Sequence, residues 1–178
     1  GVVQDITERK KAEEKLQILA NAIESSNDAI VTLSLDGIIT SWNKAAEQVY
    51  GYSAEEILGR DVSVLEPENT KGEINQFSER IKQGNTIQHY ETLRLRKDGT
   101  LLNVSAALSP VFDVTGKLVA FSAIVRDVTE RIKGEEALRK SEARLRRFYE
   151  SDMIGVSFYN LDGSITDANN KFLNIISY

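Results

Sequence analysis

The sequence predicts an α+β fold built on a five-stranded antiparallel sheet, with short helices on one face and a longer linker helix at each end. Turn-forming pairs at 36–37, 98–99 and 115–116 each separate two apolar runs, as the loops of β-hairpins do. The elements around these turns follow the order β-β-α-α-α-β-β-β. Sequential hairpins with short helices between them are typical of an antiparallel sheet that is covered on one side.

The first half of this domain is predicted as a helix, a hairpin and three further helices. A helix at 8–24 carries Ala12, Leu16, Leu19 and Ile23 on one narrow stripe. Asn43 follows the hairpin and can cap a short helix, and Ser53 to Glu56 form a capping box for the next one. The predicted elements are strands at 29–35 and 38–42 and helices at 44–50, 54–58 and 69–82.

The second half is predicted as three long strands and an outgoing helix. The strands are 86–96, 101–112 and 117–128, and the last of them runs directly into a helix at 130–149. Asp127 and Glu130 are spaced as a capping box at this change from strand to helix. The outgoing helix carries a heptad seam of Gly134, Leu138, Ser141, Leu145 and Phe148.

The composition limits the chemistry that the chain can perform. The 178 residues carry a net charge of −5, which argues against a nucleic-acid or anionic-membrane surface. There is no cysteine and one histidine, His89, so disulfides, thiolate nucleophiles and Cys-based metal sites are excluded. No signal peptide and no apolar run of roughly 18–20 residues is visible, so we expect a cytoplasmic location.

One phrase occurs twice and organises the chain. Asp5-Ile-Thr-Glu-Arg9 matches Asp127-Val-Thr-Glu-Arg131 at an offset of 122, whereas Leu35-Asp-Gly37 matches Leu161-Asp-Gly163 at an offset of 126. Four residues are therefore inserted within the second helical linker. The repeat predicts the end of a preceding module at 1–7, a coiled-coil-like linker helix at 8–24, a complete module at 25–129, an outgoing signalling helix at 130–149 and the truncated start of a following module at 150–178.

A set of motifs in this order points to a family. Asp36-Gly37 precedes Asn43, Gly51-Tyr-Ser-x-Glu-Glu-Ile-Leu-Gly-Arg60 follows, and Arg96-Lys-Asp-Gly99 comes before the closing Asp127-Val-Thr129. Together they resemble a PAS domain of the sensory-box type, found in tandem in bacterial and archaeal sensor histidine kinases. In that family the closing Asp-x-Thr ties the last strand to an effector-linked helix. The resemblance therefore implies signal-coupling roles for Asp127, Thr129, Arg131 (as the cation beside Asp127), Asp5 and Thr7.

A ligand pocket is the second candidate site, and a filled core is the competing interpretation. Strand alternation, a run of small residues and the inner face of the helix at 69–82 predict the pocket walls. Arg94 is expected to be solvated, although an inward Arg94 would favour a carboxylate or phosphate ligand. The candidate pocket residues are Phe77, Ile81, Val104, Ala106, Phe121, Ala123 and Val125.

The resemblance also bears on cofactors and catalysis. The Gly-x-Asn-Cys-Arg-Phe-Leu-Gln signature of light-sensing members is absent, and without cysteine a covalent flavin adduct is excluded. Haem is not expected, because residues 69–83 hold no histidine and His89 falls on a strand. No metal site is expected, whereas an unknown small molecule stays open. No catalytic constellation, phosphoacceptor helix or ATP-binding block is visible, so the fragment is predicted not to be an enzyme.

These observations predict a sensory or signal-relay module of a multidomain sensor histidine kinase in a two-component system. A ligand- or neighbour-induced change would pass through Asp127-Val-Thr129 to the outgoing helix. The expected partners are a second copy in a parallel dimer through the linker helices, neighbouring PAS modules and a kinase domain in cis, with no nucleic acid and no membrane. The alternatives are a passive, ligand-free dimerisation spacer and a PAS domain of a diguanylate cyclase or transcription regulator.

Overall fold

The computed structural model describes residues 2–151 and 153–176, with side chains from residue 8 onward. The chain forms two compact units, residues 1–129 and 130–178. The elements of the first unit are α1 (Val2–Glu24), β1 (Ala29–Ser34), β2 (Ile39–Trp42), α2 (Lys44–Tyr50), α3 (Ala54–Ile57), α4 (Glu73–Lys82), β3 (Ile87–Leu95), β4 (Leu101–Phe112) and β5 (Leu118–Asp127).

The five strands of the first unit form one sheet in the order β2-β1-β5-β4-β3. Every neighbouring pair is antiparallel, and β1 lies between its hairpin partner β2 and the last strand β5. Val31 of β1, for example, is opposite Trp42 on one side and Ala123 on the other. This sheet with its helices confirms the predicted α+β fold.

The core lies between one face of this sheet and the helices that cover it. Alternate residues of β1 and β4 are buried, as the period of two along a strand requires. Helix α4 adds Ile74, Phe77 and Ile81, which lie three and four residues apart on one helix face. Burying each of these large side chains contributes roughly 1.5–3 kcal/mol to stability.

Among the helices, one predicted helix is shorter than expected, one predicted capping box is confirmed and one 3₁₀ turn was not predicted. The helix expected at 69–82 begins at Glu73, because Gly72 has a φ of +85°, which interrupts the helix, and Glu68–Thr70 form a separate 3₁₀ turn. The capping box at Ser53 is present: the Ser53 N–H donates to Glu56 Oε2 at 3.0 Å. Val62–Leu65 form another 3₁₀ turn, which the sequence reasoning did not predict.

Helix α1 extends further toward the N-terminus than predicted. Its backbone is helical from Val2, whereas the matching residues of the second copy end a strand. The side chains of Asp5 and Thr7, which the repeat singled out, lie outside the described part of the chain. No helix within residues 2–151 and 153–176 is both long and apolar enough to cross a membrane.

The second unit consists of a long helix and a hairpin with a short helix. Its elements are α5 (Thr129–Tyr149, whose first residue belongs to the first unit), β6 (Ser157–Tyr159), β7 (Ile165–Ala168) and α6 (Asn170–Ile175). The pairs between β6 and β7 match the pairs between β1 and β2 one by one at the offset of 126, including the bulge in the middle. The repeat in the sequence is therefore a repeat in strand register as well.

Candidate signal-coupling site

The end of β5 is bonded to the start of β4 at the residue where α5 begins. The Asn103 N–H donates to Thr129 Oγ1 at 3.0 Å, and the Thr129 hydroxyl lies 3.4 Å from the Asn103 carbonyl oxygen. The Val128 N–H donates to the same carbonyl at 2.9 Å. We call this arrangement of Asp127, Val128, Thr129 and Asn103 the strand–helix junction. It fixes the first residue of α5 to the sheet through a side chain that is only one rotatable bond long.

Asp127 completes the strand–helix junction with both carboxylate oxygens. Its Oδ1 accepts from the Thr129 N–H at 2.8 Å, so it satisfies an N–H at the start of α5 that has no partner within the helix. Its Oδ2 forms a salt bridge of 3.1 Å with Arg96 Nη2 at the end of β3. The junction therefore joins the ends of three strands to the first residue of α5.

The structure gives partners to the charged residues beside this junction. The salt bridge described for Asp127 is with Arg96, and Arg131 lies 2.8 Å from Glu135 on its own helix. The expected pairing of Arg131 with Asp127 stays a prediction. The predicted capping box is replaced, because Asp127 bonds the N–H two residues ahead and Glu130 pairs with Lys133.

Asn43 forms a second polar connection, which sequence reasoning recognised only as a helix cap. Its Oδ1 accepts from the Ala46 N–H at 2.9 Å, which caps α2, and from the Ile30 N–H at 2.9 Å in β1. Its Nδ2 donates to the Ile23 carbonyl at 2.9 Å and to the Asp28 carbonyl at 3.1 Å. We call these residues the Asn43 amide cluster, which joins the last turn of α1 to β1 and α2.

The same cluster occurs around Asn169 in the second unit. Asn169 Oδ1 accepts from Val156 N and Phe172 N, both at 2.9 Å. Its Nδ2 donates to the Tyr149 carbonyl at 2.6 Å and to the Ile154 carbonyl at 2.8 Å. All four partners lie 126 residues after those of Asn43. The matched asparagines in the repeat were the sequence signal that could have identified this cluster.

The candidate ligand pocket is a small cavity of about 40 Å³ in the core of the first unit. Of the seven expected residues, five line it, while Ile81 and Phe121 are buried elsewhere in the core. A cavity of this volume holds about one water molecule. The lining residues that were not among the candidates are Val31, Leu33, Tyr50, Val62, Leu65, Ile74, Arg94 and Leu108.

Arg94 is buried against this cavity, so the expectation that it is solvated is wrong. Its side chain is only 7% exposed, and its Nη1 lies 2.7 Å from Glu73 Oε2 at the start of α4. Thr92 donates to the same oxygen at 2.8 Å, and Tyr90 donates to Glu73 Oε1 at 3.0 Å. Burial of this charge is possible because a carboxylate and several hydrogen bonds satisfy it.

Tyr50 is the other ionisable group at the cavity wall. Burial raises the pKa of its phenol to about 12, against a smaller opposing effect of the Arg94 charge. Desolvation disfavours the phenolate, so Tyr50 stays neutral over the physiological range. The ionisable side chains at the cavity wall are therefore one cation, which is paired with a carboxylate, and one neutral phenol.

His89 lies on β3 and is exposed, with a left-handed φ of +51° at the bulge in the pairing of β3 with β4. Within residues 2–151 and 153–176, no three His, Asp or Glu side chains are grouped closely enough to hold a metal ion.

Comparison with known proteins identifies what this architecture is. A family model described as a PAS domain matches residues 27–130. The sensor protein FixL of Bradyrhizobium diazoefficiens is 26% identical over 176 residues, covering 94% of this chain and 33% of that protein. The methyl sulfide methyltransferase-associated sensor of Methanosarcina acetivorans is 30% identical over 158 residues, covering 87% of this chain and 15% of that protein.

A solved structure supports the same assignment. The crystal structure of the PAS domain of a protein from Colwellia psychrerythraea has a TM-score of 0.60 and 29% identity, covering 65% of this chain and 98% of that one. The present chain spans about a third or less of the length of the two curated relatives. With a family match over more than half of its residues and the five-stranded sheet described above, the chain belongs to the PAS domain family.

Proposed function

We propose that this chain relays conformational signals between tandem modules of a larger sensor protein, which we expect to be a histidine kinase. The PAS family and relatives that are sensor proteins support a sensory signalling role. The observation that carries the finer proposal is the strand–helix junction, where Thr129 and Asp127 bind the first residue of α5 to the sheet. A shift of the sheet at Asn103 would move the start of α5.

The core favours a relay over a sensor that retains a ligand. A pocket for a small metabolite has a volume of roughly 300–1,000 Å³, whereas the cavity here is about 40 Å³. Arg94, the cation that could attract an anionic ligand, is already paired with Glu73. The signal would then come from a neighbouring module through α1. A passive spacer without a ligand is also consistent with so small a cavity, and variants of the strand–helix junction distinguish it from a relay.

The linker helices are the proposed dimer contacts. Leu16, Leu19 and Ile23 are exposed along one stripe of α1, and Leu138, Leu145 and Phe148 are exposed along α5. No residue of α5 is buried. We propose that a second copy of the chain covers these stripes in a parallel, coiled-coil-like dimer, and that residues 1–7, 25–129 and 150–178 belong to three consecutive modules of a cytoplasmic protein.

The relay is tested by removing the bonds of the junction in the full-length protein. Thr129→Val deletes the hydroxyl that bonds Asn103 but keeps the shape of the side chain, and Asp127→Ala deletes the partner of Arg96 and of the Thr129 N–H. We expect both variants to change autophosphorylation several-fold while the thermal unfolding temperature stays within a few degrees. Thr129→Ser, which keeps the hydroxyl, should give the same output as the parent protein.

The matched control for Asp127→Ala is Asp113→Ala. Asp113 also accepts from a threonine N–H two residues ahead, at 2.8 Å, but it lies in the β4–β5 hairpin turn, at the opposite end of β5 from Asp127. This variant should leave the output unchanged. If Thr129→Val and Asp127→Ala also leave it unchanged, the module is a passive spacer. Native mass spectrometry of the purified chain should show no retained small molecule, and a retained one would replace the relay by ligand sensing.

A further inference from the structure

Asn43 uses the complete hydrogen-bonding capacity of its amide nitrogen and both directions of its oxygen in one buried position. The residue is 1% exposed, and the four bonds lie between 2.9 and 3.1 Å. Capping α2 needs only the bond to Ala46, which serine or aspartate would also make. The two N–H donors do something different, since they bind carbonyls on the incoming side of the module.

The acceptor at Ile23 makes this arrangement a connection between elements. Ile23 is in the last turn of α1, where carbonyl oxygens have no partner within the helix. The Lys44 N–H adds a second connection by donating to Glu24 Oε2 at 3.1 Å. The end of α1 is therefore bonded to the start of α2, whose buried residues pack into the core. Outside these bonds, α1 is exposed along residues 8–24.

We propose that Asn43, and Asn169 in the following module, are positioning residues that hold the incoming linker helix in a fixed orientation and pass its movement into the module. This inference rests on the proposed relay, to which it adds the receiving end. The strand–helix junction would send a movement out through α5, and the Asn169 cluster would receive it at Tyr149.

The repeat gives this inference a geometric consequence. Twenty residues separate Thr129 from Tyr149, whereas sixteen separate Thr7 from Ile23. Because the Asn clusters match at an offset of 126, the four extra residues lie inside the helix, before its last turn. Four residues lengthen an α-helix by about 6 Å and turn it by about 40° beyond one full turn. The second linker helix thus differs from the first in its length and in the rotation between its two ends.

The test measures the orientation of the helix directly. The chain has no cysteine, so two introduced cysteines take spin labels at those sites alone. We would label Lys11→Cys on α1 and Ser109→Cys on β4, both exposed positions, and dilute the labelled chain with unlabelled chain. Asn43→Ser keeps an oxygen for Ala46 and loses both N–H donors. We expect the distribution of distances between the labels to widen at least twofold.

The matched control is Asn21→Ser, which changes the same residue type near the end of the same helix. The Asn21 side chain accepts from Gln17 within α1, at 3.0 Å, and the residue is exposed. Its distribution should stay as narrow as that of the parent chain. Hydrogen exchange of the Val104 and Val125 amides checks that the core of the Asn43→Ser variant is intact. A role confined to capping α2 would leave the distance distribution unchanged.

Asn169→Ser provides the second test, because it leaves residues 1–129 untouched even if Asn43→Ser does not fold. Labels at Arg139→Cys on α5 and Leu161→Cys in the β6–β7 turn report on the Asn169 cluster within the second unit. If either asparagine variant folds and its distribution of label distances is as narrow as that of the parent chain, the positioning role is overturned. This holds even where Thr129→Val changes kinase output. Widened distributions support it, and if Thr129→Val then leaves the output unchanged, the relay alone is overturned.

Discussion

The first and second units contain the same hairpin and the same asparagine cluster, but they bury very different amounts of apolar surface. The backbone pairs of β1 with β2 and of β6 with β7 correspond one by one. Yet Leu33 is 3% exposed, whereas Tyr159 at the matching position is 57% exposed. Within the described residues, the two hairpins therefore share local hydrogen bonds and strand register but not the burial of their apolar side chains.

The two hairpins differ in burial because β1 has a neighbouring strand on both of its edges. β1 has β5 on the side opposite β2, and β5 brings β4 and β3 into the same sheet. Within the described residues, β6 pairs with β7 alone. A two-stranded hairpin is marginally stable in water unless something covers its apolar face. The stability of the first unit should accordingly depend on contacts between residues far apart in sequence.

The largest expected effect is a loss of stability when a core side chain of the first unit is removed. Removal of an exposed side chain from the second unit serves as the comparison. Phe121→Ala removes a ring that is 1% exposed and should lower the free energy of unfolding of the first unit by about 3–5 kcal/mol. Phe158→Ala removes a ring that is 53% exposed on β6 and should change the stability of the hairpin by less than about 0.5 kcal/mol. Hydrogen exchange of the amides in both units measures the two effects in one experiment.

The control within the first unit is Phe112→Ala, since Phe112 is exposed at the end of β4. It should behave like Phe158→Ala and leave the amides of β1 and β5 protected. Equal losses for Phe121→Ala and Phe158→Ala would mean that the hairpin has a core of its own, and the contrast between the units would then be wrong.

A smaller effect is expected at alkaline pH, where the buried phenol of Tyr50 resists ionisation. Its pKa is raised from 10.0 to about 12 by burial, so the unfolded chain ionises first. The stabilisation is complete below pH 10 and is lost as the pH rises through 12. The slope is about 1.4 kcal/mol per pH unit between these values. Urea unfolding, followed by the fluorescence of Trp42, should therefore give a steeper pH profile for the parent chain than for Tyr50→Phe.

The matched control is Tyr159→Phe, which removes a phenol from the second unit. Because Trp42 reports on the first unit, the pH profile of this variant should coincide with that of the parent chain. If Tyr50→Phe also coincides with it, the Tyr50 phenol is not desolvated in the folded protein, and the tight core around the 40 Å³ cavity is incorrect.

The same division between local and distant contacts explains what the sequence could predict. Turns and the capping box at Ser53 depend on residues within four positions of each other, and these predictions are confirmed for the hairpins and for α3. Arg94 was misjudged, because alternation along β3 sets Arg94 and Thr92 on one face and two leucines on the other. Only the approach of Glu73, twenty-one residues away, makes the polar face the inner one.

The strand–helix junction and the Asn43 amide cluster follow this rule as well. Sequence reasoning considered only the nearby Arg131 as a partner of Asp127 and missed Arg96, which the β3–β4 hairpin and the β4–β5 pairing bring to it from thirty-one residues away. It assigned Asn43 to its local cap at Ala46 and missed the bond to Ile23, twenty residues away. A pattern in one stretch of sequence identifies which residue is special, while its partners depend on how the strands are ordered.

The smallest expected effect concerns a surface ion pair that the second unit lacks. Arg126 at the end of β5 donates from Nε and Nη2 to both oxygens of Asp28, at 2.9 and 2.7 Å, while the matching position in the second unit is Ile154. The hydrogen bond from Arg126 lowers the pKa of Asp28 below 3.8. The pair therefore stabilises the folded state above this pH, and its contribution is lost as the pH falls through the lowered pKa. Because the Arg126 side chain is 68% exposed, solvent screens the pair and keeps its contribution to stability small.

Asp28→Asn and Arg126→Gln should each lower the free energy of unfolding slightly at pH 7, and the double variant should lose no more than either one. As the pH falls below 3.8 and through the lowered pKa of Asp28, the variants and the parent chain should converge, and 1 M salt should reduce the difference at pH 7 as well. A difference that persists at low pH would assign the effect to packing of the Arg126 side chain on the sheet. The contact between β5 and the start of β1 would then be apolar, and the first unit would owe its extra stability over the hairpin to buried surface alone.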